Sequence, residues 1–185
     1  MKIQINNLCK KYGDKIVFDA YTNTFDFDGI LLIKGASGLG KTTLMRIIAG
    51  LEKADKGEIL KSTESISFMF QEDRLIPFVS VLKNLTAVCN EKKALYYLKL
   101  MGLESEKDNS PLSLSGGMRR RVSLARALCF NSDLVILDEP FKGLDEELKY
   151  TICEIIKEES KSKDFIIISH DSEDAKLLNA KVIEI

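Results

Sequence analysis

Residues 35–42 read Gly-Ala-Ser-Gly-Leu-Gly-Lys-Thr. They join the apolar run Ile30–Lys34 to Thr42–Ile48, a stretch of helical character. Four apolar residues closed by a lysine suit a buried strand. Small residues after it let successive backbone N–H groups turn inward around an anion. A helix that starts there points its partial positive end at the same spot. Strand, glycine-rich loop and helix together impose an α/β sheet with a phosphate cradle at its edge. Lys41 supplies a mobile point charge for β- and γ-phosphates, and the Thr42 hydroxyl can ligate Mg²⁺. A glycine-rich turn with a chance Lys-Thr would need neither flanking element.

Leu134-Val-Ile-Leu137 is a second apolar run, expected to lie parallel to the first because both are apolar throughout. Asp138 at its end is placed to hold Mg²⁺, directly or through water. Glu139, one residue on, is placed to accept a proton from an attacking water, and Pro140 ends the strand. Phe165-Ile-Ile-Ile168 is a third such run, and the chain's one histidine, His170, follows it. Ligands of open α/β sheets gather at the C-terminal strand edge. An imidazole there can meet a γ-phosphate oxygen or the attacking water; a satisfied structural histidine is the alternative.

Leu114-Ser-Gly-Gly-Met118 is a segment that phosphate-binding folds in general do not need. Ser115 is expected to cap a helix from about Gly117 to Cys129, leaving that helix's N–H groups directed outward. With it, the chain resembles the nucleotide-binding domain of ATP-binding-cassette (ABC) transporters. The family's signature usually ends in Gln where this chain has Met118. The resemblance covers essentially the whole chain. It implies a P-loop NTPase of ABC type: a mostly parallel core sheet, an N-terminal antiparallel β-region and an inserted α-helical subdomain. One domain, 1–185, is expected, with a RecA-like core over about 1–71 and 131–185 and the helical part over about 72–130.

The resemblance also implies roles. ATP and Mg²⁺ are the expected ligands. Tyr12 matches the aromatic that stacks on adenine. Gly35, Ala36, Ser37, Gly38, Leu39, Gly40, Lys41, Thr42 and Thr43 form the phosphate loop. Thr42, Gln71 and Asp138 are the expected metal contacts, and Glu139, His170 and Gln71 the catalytic set. Ser115, Gly116 and Gly117 would close on the γ-phosphate held by a second copy, and Asp145 matches a loop that crosses to that copy. Gln71-Glu-Asp-Arg-Leu-Ile-Pro77, Met118-Arg-Arg-Arg-Val122 and Asp138-Glu-Pro-Phe141 look like ATP-binding subunits of the nitrate, sulfonate and taurine importers. Small-molecule exporters share much of that core.

No apolar run is long enough to span a bilayer, and the N-terminus lacks a signal-peptide pattern. A cytoplasmic chain, peripheral to the membrane and partnered by a separate permease, is therefore expected. A net charge of −1 argues against a nucleic-acid footprint. Arg119-Arg-Arg121 reads as a solvated helix face. Four scattered cysteines read as free thiols. Asn84–Gly102 and Leu114–Phe130 read as helices, with Tyr96 and Tyr97 on a core stripe. Leu75 and Phe78 read as an exposed apolar patch. An ABC-type ATPase of DNA repair or translation is the alternative, but the chain has no coiled-coil insertion or second cassette. A kinase or GTPase gives no reason for Ser115-Gly-Gly.

Overall fold

Alternating polar and apolar residues open the chain, and they build a hairpin. In the computed structural model, which describes residues 1–185 apart from the side chain of Ser172, β1 (Lys2–Tyr12) and β2 (Lys15–Asp26) pair antiparallel. β3 (Ile30–Lys34) leaves the hairpin for a second sheet, α1 (Lys41–Ile48) follows, and β4 (Lys56–Lys61) returns to the free edge of β1. The first sheet therefore has the order β2-β1-β4. The second sheet is parallel throughout and takes β5 (Ile66–Met69), β6 (Leu134–Asp138), β7 (Asp164–Ile168) and β8 (Lys181–Glu184), in the order β5-β6-β7-β3-β8.

Its inner strands β6, β7 and β3 are apolar on both faces because both faces are covered, whereas the edge strand β8 is largely exposed. Successive side chains of a strand point to opposite sides, and the two cores divide by that rule. Leu32, Val135, Leu137, Phe165 and Ile167 join one core with helices α2 (Val81–Thr86), α3 (Glu91–Leu100), α4 (Gly116–Cys129) and α5 (Glu146–Glu159). Leu31, Ile33, Leu134, Ile136, Ile166 and Ile168 join the other with α1 and the β1–β2 hairpin. A last short helix, α6 (Ser172–Leu177), links β7 to β8.

Register places the site. Asp138 lies opposite Ile168, and Ile168 opposite Ile33, so β6, β7 and β3 end abreast. Met69 opposite Leu137 brings the end of β5 level with them.

Two expectations change at the level of elements. The helix expected over 84–102 is two helices, because Asn90 interrupts it: its side chain accepts from the Lys93 N–H at 2.9 Å and starts α3 afresh. The tyrosine stripe divides as well. Tyr97 is buried and its hydroxyl donates to Glu159 Oε1 at 2.8 Å, while Tyr96 faces solvent. The capping expectation holds: Ser115 accepts from Met118 N–H at 3.2 Å, and α4 begins at Gly116. All four cysteines are free.

Candidate active site

A cleft of about 340 Å³ opens where β3, β6 and β7 end. Its wall runs from the phosphate loop and the start of α1 to the residues that follow the three strands. Gly40 shows why the loop is glycine-rich. Its φ is +89°, and a Cβ there would stand 2.5 Å from Val17 Cγ1 and 2.8 Å from Phe18 Cζ. Only glycine fits both the backbone turn and the space. Lys41 is 94% buried by its neighbours, at 6% exposure, and its Nζ donates to the carbonyls of Gly35 (2.7 Å) and Ala36 (2.8 Å). The loop so holds its own cation at the cradle, where a polyphosphate can take over those bonds.

Thr42 Oγ1 donates to Asp138 Oδ2 at 2.7 Å. A hydroxyl and a carboxylate converging at a helix start are hard oxygen donors, the set that suits Mg²⁺, which keeps several of its own waters. Burial pushes the Asp138 carboxyl above the ordinary aspartate value, and the Thr42 bond with Arg46 and Arg120 pulls it back. A bound cation would act in the same downward direction.

Glu139 has φ +54°, the left-handed region that residues with a Cβ enter at a cost. Its N–H donates to the Ile168 carbonyl at 3.0 Å, tying β6 to β7 past the last ladder bond. Its Oε1 lies 3.0 Å from His170 Nε2. Burial raises the Glu139 pKa, the charge of His170 lowers it, and Asp138 raises it again. A carboxylate displaced upward, at hydrogen-bond reach of an imidazole, is equipped to take a proton. His170 is itself half exposed, on a turn where the Ser169 hydroxyl donates to buried Asp174 and Lys149 pairs with both Asp174 and Asp171. Gln71 and Tyr12 complete the cleft wall. The Tyr12 hydroxyl donates to Glu52 Oε1, and Lys10 Nζ sits 5.0 Å from the ring centroid.

The cleft thus gathers Tyr12, Ser37, Gly38, Gly40, Lys41, Thr42, Thr43, Gln71, Asp138, Glu139 and His170. It does not include Ser115, Gly116, Gly117 or Asp145. Ser115, Gly116 and Asp145 are exposed at helix starts, and Asp145 Oδ1 accepts from Leu148 N–H as the cap of α5. Leu39 is also exposed, outside the cleft wall.

One reading is overturned. Arg119-Arg-Arg121 is not a solvated face. Arg120 is 4% exposed, and its guanidinium donates to the main-chain carbonyls of Phe70, Gln71, Asp138 and Glu139. Arg121 donates to the Met101 carbonyl and Arg119 to that of Leu114. Three consecutive arginines look solvated because their spacing does not tell which of them faces the strand ends. Asp73, 3.5 Å from Arg120 Nη1, carried no signal at all. Among the described residues no helix is long and apolar enough to cross a membrane.

The family model described as ABC transporter matches residues 19–142. The chain is 36% identical to the aliphatic sulfonates import ATP-binding protein SsuB 1 of Rhodococcus jostii (strain RHA1), with 94% of this chain and 74% of that protein covered. It is 33% identical to the SsuB 1 of Paraburkholderia xenovorans (strain LB400), where 98% of this chain spans only 56% of the relative's length. Among solved structures, a dimeric post-hydrolysis state of the ATP-binding cassette MJ0796 bound to ADP and Pi superposes with a TM-score of 0.86 at 26% identity. That superposition covers 99% of this chain and 94% of that one. Motif, fold and likeness converge: the chain belongs to the ABC transporter family, as one of its ATPase cassettes.

Proposed function

We propose that the chain is the ATP-binding subunit of an importer, hydrolysing Mg·ATP between two copies of itself on the cytoplasmic face of a membrane. The observation that carries this reading is the level ending of β3, β6 and β7, which delivers Lys41, Thr42, Asp138, Glu139 and His170 to one cleft. In this reading, residues 35–43 hold the phosphates through N–H groups and Lys41. Tyr12 offers its ring to adenine. Thr42, Asp138 and Gln71 hold Mg²⁺, which when bound neutralises charge on the β- and γ-phosphates. Glu139 accepts a proton from the attacking water, and His170 steadies that carboxylate and reaches toward the γ-phosphate. Ser115, Gly116, Gly117 and Asp145 stand outside the chain's own cleft, which supports their use by a second copy. Likeness to sulfonate import proteins supports a small oxyanionic solute carried by a separate permease.

Two substitutions separate binding from chemistry. Lys41→Ala removes the charge that phosphates compensate, so ATP affinity should fall sharply. Glu139→Gln keeps shape and removes basicity, so turnover should drop by about 10²–10⁴ while ATP stays bound. Unchanged ATP affinity in Lys41→Ala sinks the cradle, and near-normal hydrolysis in Glu139→Gln sinks the base.

A further inference from the structure

A guanidinium that is 4% exposed on a helix is costly unless its donors are used, and an apolar residue would be the cheaper filling. Arg120 uses both of its Nη groups on four main-chain carbonyls, with Asp73 Oδ1 3.5 Å from Nη1, while its buried Nε has no partner. Nη1 reaches Phe70 O at 3.0 Å and Gln71 O at 2.8 Å, where β5 runs out into the cleft. Nη2 reaches Asp138 O at 2.6 Å and Glu139 O at 2.5 Å, where β6 runs out beside it. These two strands are ladder neighbours up to Met69 and Leu137. Arg120 therefore continues their pairing beyond its last bond, in a rigid fork that a point charge cannot copy. One of the four carbonyls belongs to Glu139, whose left-handed backbone persists only if its surroundings hold it.

We propose that Arg120 is a positioning residue: from α4 it fixes the backbone turn that aims the Glu139 carboxylate and, with the same fork, the start of the Gln71 segment. Helices α2, α3 and α4 pack on one another, and Arg120 lies on the last of them. A shift of these helices against the sheet then reaches both cleft residues through one side chain. The proposal rests on reading Glu139 as the base and adds what sets that base in place.

The test is steady-state hydrolysis of Mg·ATP by Arg120→Lys, beside Glu139→Gln and the double variant. An ammonium cannot span both carbonyl pairs, so kcat should fall about 10²-fold, the loss expected of a slightly displaced catalytic group. KM for ATP and directly measured ATP affinity should stay within about threefold, because in this reading most of the binding comes from the phosphate loop and Tyr12, none of which Arg120 contacts. The double variant should be no slower than Glu139→Gln alone. A near-normal kcat in Arg120→Lys overturns the proposal, as does a raised KM with kcat kept, or losses that multiply in the double variant. If Glu139→Gln alone keeps its rate, the base reading fails first and the proposal falls with it. Should Arg120→Lys fail to fold, Arg120→Gln, which keeps amide donors without the charge, is expected to show the same kcat-selective loss. Misfolding of both variants would make Arg120 structural only and overturn the proposal.

Discussion

At Glu139 a left-handed backbone, a largely buried carboxylate and a neighbouring imidazole meet in one residue. Burial is the largest influence on its acidity and pushes the pKa up; His170 opposes it with a smaller effect. Ionisation of the Glu139 side chain should therefore have its midpoint above the ordinary glutamate value, with the protonated form persisting to higher pH than in an exposed glutamate. Infrared titration should show a carboxyl band that Glu139→Gln removes. A midpoint at or below the ordinary value would contradict the burial argument. Residues such as Lys41, Asp138 and His170 were legible in sequence because each follows or precedes an apolar run at fixed spacing. Arg120 and Asp73 were not, because their contacts are to backbone atoms or to residues remote in the chain, and such contacts leave no motif.

Elements were legible in proportion to how local their causes are. The three apolar strands and the Ser115 cap follow from residues inside or beside them. The break between α2 and α3 depends on a single capping residue, Asn90, inside an otherwise helical pattern. The segment after Gln71 shows the same limit. Leu75 packs on the helical core, whereas Ile76 and Phe78 are exposed, Phe78 at 91%. Fully buried Asn84 holds this turn in shape, accepting from Ile76 N–H at 2.8 Å and donating to Ile76 O at 3.1 Å. The exposed apolar pair therefore stands on a rigid support, a feature suited to docking a partner. Phe78→Asp should change stability by no more than about 0.5 kcal/mol, as exposed substitutions do, and leave basal ATPase near normal. If the chain works with a permease as proposed, Phe78→Asp should also abolish co-purification with it; normal assembly would place the docking surface elsewhere.

For the whole molecule, the cleft of one chain lacks the Ser115 segment that its family reading calls for. A two-fold dimer, as proposed, would supply it to both sites at once. Specific ATPase activity should rise with protein concentration, and a mixture of Lys41→Ala and Ser115→Arg chains should regain activity through one intact composite site per heterodimer. Activity per chain that is constant down to the lowest measurable concentration, with no rescue on mixing, would argue against a working dimer. The sheet order carries a further consequence, for synthesis on the ribosome. β3, the strand that leads into the phosphate loop, lies between β7 and β8 in the sheet. The bond from Gly29 N–H to Asp164, at the rim of that pairing, spans 135 residues. While the chain emerges, β3 must therefore wait without a partner until residues 165–168 of β7 have been made. Its apolar edge is open to wrong pairing for that whole interval, and a nascent chain truncated before β7, though it contains every residue of the loop, lacks the pairing of β3 that holds the loop in place for ATP.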